Sequence, residues 1–125
     1  MDRPRVLLVE DSFIVAEGLR ALCENAGMDV IGPALSVRRA LELLGELPSL
    51  NAAIVDLNLN GEASLPVLDC LIARAIPILL TTGYDVSVLP RRYRTLASCE
   101  KPASPADIIE QVWTLIGTDS GALRS

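Results

Sequence analysis

The 125-residue chain contains no histidine. That absence excludes a Ser-His-Asp triad, a histidine-ligated zinc and any role as a phosphohistidine carrier. Lysine is almost missing too: Lys101 stands alone, and every other basic side chain is arginine. The three cysteines, Cys23, Cys70 and Cys99, are widely spaced and odd in number. They fit neither a disulfide framework nor a zinc motif, and buried free thiols are expected. Positive charge is scarce as well, with 11 Lys and Arg against 16 Asp and Glu for a formal charge of −5. No basic stripe of the kind a nucleic-acid binder needs is present. Arg91, Arg92 and Arg94 form a local cluster, expected to be solvated. No apolar run approaches a membrane span. Residues 6–9 are too short for a signal-peptide core and run straight into Glu10 and Asp11. A cytoplasmic chain that engages neither nucleic acid nor membrane is the expectation.

What is present is apolar residue in the right amount and order. Half of the chain is hydrophobic, enough for one buried core in one domain. The domain is expected over residues 1–117, with 118–125 as a short polar tail. Val6, Leu7, Leu8 and Val9 form an unbroken apolar run, as a strand buried on both faces should. Ser12 can cap the following helix, whose inward residues are predicted as Val15, Ala16, Leu19, Leu22, Cys23 and Ala26, with Gly27 closing it. Residues 30–35 read as a second strand, and its Gly32-Pro33 pair points to a sheet edge. Ser36 caps a helix with Val37, Ala40, Leu41 and Leu44 inward. Residues 52–55 form a third strand running into Asp56. A helix over 64–74 follows, with Pro66 in its first turn. Residues 76–80 are predicted as the fourth strand and 96–99 as a weak fifth. The segment 85–95 allows at most a short helix because of Pro90. Ser104-Pro105-Ala106-Asp107 opens the last helix, which buries Ile108, Ile109, Val112, Leu115 and Ile116.

This alternation is βα five times over. It predicts an α/β fold with a five-stranded parallel sheet covered by helices on both faces. With the second strand at an edge, the flavodoxin-like (βα)5 order 2-1-3-4-5 fits. Ligands of such a sheet bind beyond the carboxyl ends of its strands. The residues there are Glu10-Asp11 after the first strand and Asp56-Leu57-Asn58 after the third. Thr81-Thr82-Gly83 follows the fourth, and Glu100-Lys101-Pro102 the fifth. Three carboxylates at one rim repel one another, and a hard divalent cation such as Mg²⁺ relieves that repulsion. A carboxylate can also act as a nucleophile toward phosphorus, with a lysine, a hydroxyl and a metal neutralising the transferred group. Singly, each residue has an ordinary explanation as a cap, a β-former or a surface charge. Their joint placement at four strand ends does not.

Val9-Glu10-Asp11, Asp56-Leu57-Asn58, Thr82-Gly83-Tyr84 and Lys101-Pro102 together resemble the signature of response-regulator receiver domains, in order over residues 5–117. The resemblance implies that Asp56 accepts a phosphoryl group. It implies that Glu10 and Asp11 form the acidic pair, and that Asp11, Asp56 and the Asn58 main-chain carbonyl bind Mg²⁺. It makes Thr82 the hydroxyl that senses the phosphoryl group and Lys101 its basic partner, with a cis Lys101–Pro102 peptide. Thr81 rivals Thr82, but strand alternation is expected to turn it to the opposite face. Many receivers carry an aromatic three residues before the lysine; Ser98 stands there in this chain, which resembles a single-domain subfamily with Thr-Gly-Tyr after the fourth strand. The moving element is therefore expected in residues 83–95, with Tyr84 as a reporter. The resemblance implies a stand-alone phosphoacceptor with a sensor histidine kinase or phosphotransfer protein as donor. It is not an enzyme toward an external substrate, and it signals through contacts with a further protein. A phosphorylation-independent docking module and a phosphate sink or relay are the alternatives. A Mg²⁺-dependent phosphatase is disfavoured because Asn58 stands where those enzymes place a second acid.

Overall fold

A computed structural model describes residues 3–47 and 49–124. The first strand, β1 (Arg5–Val9), leads into helix α1 (Phe13–Asn25), then β2 (Asp29–Ala34), α2 (Val37–Glu46) and β3 (Ala52–Asp56). A two-stranded hairpin, β4 (Asn58–Leu59) and β5 (Glu62–Ala63), precedes α3 (Leu65–Ala73). Then come β6 (Ile78–Thr82), a 3₁₀ turn at Val86–Val88, α4 (Arg91–Arg94), β7 (Ala97–Glu100) and α5 (Pro105–Arg124). The main sheet is five-stranded, in the order β2-β1-β3-β6-β7, and its pairings are all parallel. Counting only the strands of this sheet, that is the expected 2-1-3-4-5.

The unbroken apolar strands arise because both sheet faces are covered. One face holds Leu7, Val9, Ala53, Val55, Ile78 and Leu80 against α2, α3 and the segment around α4. The other holds Val6, Leu8, Ala52, Ile54, Leu79 and Cys99 against α1 and α5. The helix starts follow the capping chemistry. Ser12 Oγ accepts from the Val15 amide at 3.3 Å and Ser36 Oγ from the Arg39 amide at 3.1 Å, each satisfying a donor the helix itself cannot. Gly27, just beyond α1, has φ +98°, as a helix-ending residue in the left-handed region should. At the β2 edge Gly32 has φ +105°, and a Cβ there would lie 2.8 Å from the Ala34 amide nitrogen and 2.9 Å from the Leu8 carbonyl oxygen.

Several expectations are corrected. Val15, Leu22 and Leu41 are exposed rather than inward, because α1 and α2 each touch the sheet along a narrower stripe than the full apolar pattern. The fourth strand of the sheet begins at Ile78, two residues late. The Ile76 amide closes α3 on the Leu71 carbonyl at 3.0 Å, and Pro77 has no amide to give. The residues expected as a polar tail continue α5 as helix to Arg124. The segment 83–95, expected to hold the moving element, carries two anchors. Leu89 and Tyr93 are buried in the core, and Tyr93 is the largest of the fully buried side chains among the described residues.

Candidate functional site

Strand periodicity builds the site. Leu8, Ile54, Leu79 and Cys99 are core residues of the α1/α5 face. Two residues beyond each stand Glu10, Asp56, Thr81 and Lys101. Since strand side chains alternate between faces, all four emerge on one side of the sheet at its carboxyl rim. The register supports this, pairing Asp56 with Thr81 across β3 and β6, and Thr81 with Cys99 across β6 and β7.

Glu10, Asp11 and Asp56 each place a carboxylate oxygen within 4.8 Å of the others. Lys101 Nζ donates to Asp56 Oδ2 at 2.7 Å and reaches Glu10 Oε1 at 3.5 Å. Backbone amides orient the acids. The Ser12 amide donates to Glu10 Oε2 at 2.8 Å, the Asn58 amide to Asp56 Oδ1 at 3.1 Å, and the Asn60 amide to Asp11 Oδ2 at 2.8 Å. Burial is the main reason the Glu10 carboxyl sits above its ordinary pKa, with its hydrogen bond to Asp11 and the charge of Asp56 adding to it. Burial also opposes charge on Asp11, but its hydrogen bonds with Glu10 and the Asn60 amide outweigh that and hold it below the usual value. Desolvation works against the Lys101 ammonium, yet the hydrogen bond to Asp56 and the attraction of both acids raise its pKa. Three acids against one cation leave a negative, all-oxygen pocket, which is donor chemistry suited to a hard divalent ion.

The residues named from sequence thus fall into two groups. Glu10, Asp11, Asp56 and Lys101 come together, and Asn58 is tied to Asp56 through its amide. The Lys101–Pro102 peptide is cis. Thr82 uses its hydroxyl in its own turn: it donates to the Tyr84 carbonyl at 3.0 Å and accepts from the Tyr84 amide at 3.1 Å. The two threonines do occupy opposite faces, but the face shared with Glu10 and Asp56 is that of Thr81. Thr81 lines a cavity of about 510 Å³ together with Glu10, Asp11 and Lys101 and the apolar Leu19, Ile54 and Ile108. Tyr84 is exposed.

Sequence reasoning missed the hairpin that carries Asn60. Its signal was present, since Asn60-Gly61 is a strong two-residue hairpin turn. Both residues have positive φ, at 54° and 89°, and the flanking Leu59 and Glu62 pair. Gly61 donates to Asn58 Oδ1 at 2.7 Å, so the turn also fixes the Asn58 side chain. Ser64 was expected inside the third helix; it precedes α3, and its buried hydroxyl has no hydrogen-bond partner among the described residues.

No protein-family model matches the chain. The phyllosphere-induced regulator PhyR of Methylorubrum extorquens is 29% identical over 111 residues, covering 82% of this chain and 40% of that protein. The chain therefore spans about two-fifths of the length of this curated relative. A CheY-like response-regulator receiver domain protein from Methanospirillum hungatei superposes with a TM-score of 0.84 at 21% identity, covering 97% of this chain and 99% of that one. The receiver domain of Erythrobacter litoralis PhyR gives 0.79 at 19% identity, with 93% and 92% covered. A response-regulator receiver protein from Sinorhizobium medicae gives 0.78 at 20%, with 93% and 96% covered. The chain has the α/β fold of response-regulator receiver domains. The similarity to receivers read from its motifs is thus matched by the architecture. Among the described residues, no helix is long and apolar enough to cross a membrane.

Proposed function

We propose that this chain is a phosphoacceptor that takes a phosphoryl group from a histidine kinase or a histidine-containing phosphotransfer protein onto Asp56, in a Mg²⁺-dependent reaction. The observation that carries the proposal is the contact of Lys101 Nζ with Asp56 Oδ2 at 2.7 Å inside a cluster of three carboxylates. A carboxylate destined only for a surface would not be buried beside two others with a single lysine directed at it. The donors fit Mg²⁺: Asp11, Asp56 and the Asn58 main-chain carbonyl would hold it, with Glu10 alongside. When bound, the ion supplies positive charge to the acids and to the oxygens of the transferred group.

The remaining chemistry belongs to the chain. Asp56 is held by the Asn58 amide and Lys101, which orients its carboxylate before a donor arrives. An Asp56 oxygen forms a bond to phosphorus while the bond from phosphorus to the donor imidazole nitrogen breaks, and the electron pair leaves with that nitrogen. Lys101 stays beside the new acyl phosphate and balances its charge. The Thr82 hydroxyl then exchanges its contact with Tyr84 for a phosphoryl oxygen and draws the Thr82–Gly83–Tyr84 turn inward, so that a partner protein reads the altered surface.

Incubation with a small acyl-phosphate donor and Mg²⁺ tests the proposal. It should add one acid-stable, base-labile phosphoryl group, and Asp56→Asn should abolish it. Label that persists in the Asp56→Asn protein would overturn the assignment.

A further inference from the structure

The residue paired with the phosphoacceptor across the sheet is a threonine. Thr81 is only 5% exposed, and its register places it between Asp56 on one side and the strand that carries Cys99 toward Lys101 on the other. It lines the same cavity as Glu10, Asp11 and Lys101. The neighbouring Thr82 hydroxyl is used twice within its own turn. No hydrogen bond of the Thr81 side chain is present among the described residues. The residue is nearly buried, but its hydroxyl is not among the buried unpartnered atoms; it is accessible from the cavity that Lys101 also lines. Lys101 has three N–H donors. One reaches Asp56 at 2.7 Å and one makes a long contact with Glu10 at 3.5 Å.

We propose that Thr81 is a positioning residue whose hydroxyl takes the third N–H of Lys101 through a water in the cavity that both residues line, and so keeps the ammonium aimed at Asp56. The cavity suits such a contact. It is large enough for water, and Glu10, Asp11, Thr81 and Lys101 all line it. Lys101 has a flexible stem and loses rotamer freedom when fixed, so a second point of attachment on the sheet face stops it from swinging toward Glu10 alone. A valine at the same position would keep the β-branched shape and remove the hydroxyl. Alternation along β6 explains why this role falls to Thr81 rather than Thr82. Only the residue two beyond Leu79 shares the face of Asp56.

The inference rests on the phosphoacceptor reading for its consequence but not for its geometry, and the test separates the two. Thr81→Val and Thr81→Ala remove the hydroxyl, and Thr81→Ser restores it. Two quantities are read: the hydrogen-exchange rate of the Lys101 ammonium by ¹⁵N NMR without any phosphodonor, and the rate of Asp56 labelling by an acyl phosphate with Mg²⁺. Both hydroxyl-free variants should exchange faster at Lys101 and label about tenfold more slowly, the fold-change of one lost hydrogen bond to a charged group. Thr81→Ser should return both rates toward those of the native protein. Thr81→Ala keeps the test open should the valine variant not fold. Exchange at Lys101 unchanged in a folded hydroxyl-free variant overturns the proposal, even where labelling slows, because the hydroxyl would then act through another group. If the native protein takes no label, the phosphoacceptor reading fails by itself, and the exchange rates still decide the role of Thr81.

Discussion

Replacing Tyr93 should be among the most damaging single changes outside the carboxylate cluster. The residue belongs to α4, a helix of only four residues, which is too short to persist without packing. Its ring is fully buried among core residues of the α2/α3 face, and its hydroxyl donates to Asp69 Oδ1 on α3 at 2.7 Å. Arg92 stacks 4.5 Å above the ring centroid and pairs with the same aspartate at 3.2 Å. Truncating a buried aromatic to alanine removes apolar contact and leaves a cavity, together about 3–5 kcal/mol. Tyr93→Phe keeps the ring and loses only the hydrogen bond. The Asp69 carboxylate is 46% exposed and retains Arg92 and solvent, so that loss should be nearer ~1 kcal/mol. The pH dependence has a defined sign. The hydrogen bond from Arg92, then that from Tyr93, holds the Asp69 carboxyl below its ordinary value. Its contribution is fully present above the unfolded value of about 3.9 and is lost as pH falls through the lower folded value. Urea unfolding followed by far-ultraviolet circular dichroism measures the two variants, and amide exchange reports whether residues 85–95 lose protection. If Tyr93→Ala costs less than about 1 kcal/mol and exchange in that segment is unchanged, Tyr93 is not what docks it.

Three further outcomes are expected. Gly32→Ala should destabilise by about 2 kcal/mol or more, because its Cβ would lie 2.8 Å and 2.9 Å from backbone atoms at φ +105°. Gly45→Ala, in the open on α2, should stabilise slightly; thermal melts that rank the two in the other order would refute the account of the β2 edge. Asp11→Ala should weaken Mg²⁺ binding at least about tenfold, with the loss seen by titration calorimetry. Unchanged affinity would show that the carboxylate cluster is not the cation site.

The periodicities were legible in the sequence because they are local. Residues 6–9 and 52–55 are unbroken apolar runs only because helices cover both faces, and that pattern alone implies a parallel sheet. Ser12, Ser36 and Gly27 mark helix ends through chemistry confined to one turn. Once the strands are set, period two carries Glu10, Asp56 and Lys101 to one rim. Their convergence could be inferred without coordinates. Asn60-Gly61 was also local and could have been read as a hairpin.

Other features depended on what each segment meets in three dimensions. Nothing around Tyr93 distinguishes it from Tyr84, yet one is buried against α3 and the other is exposed. The difference lies in Asp69, which is 24 residues away and accepts the Tyr93 hydroxyl. Val15, Leu22 and Leu41 carry helical periodicity but face solvent, since the width of the buried stripe is set by the neighbouring helices rather than by the pattern. The adjacent threonines show the division most clearly. Sequence alone determines that Thr81 and Thr82 point to opposite faces, because backbone geometry imposes alternation on any strand. Which face holds the acids is decided by the register of β3 against β6, which pairs Asp56 with Thr81. That register follows from packing the strands between two helical layers, and only the tertiary structure specifies it.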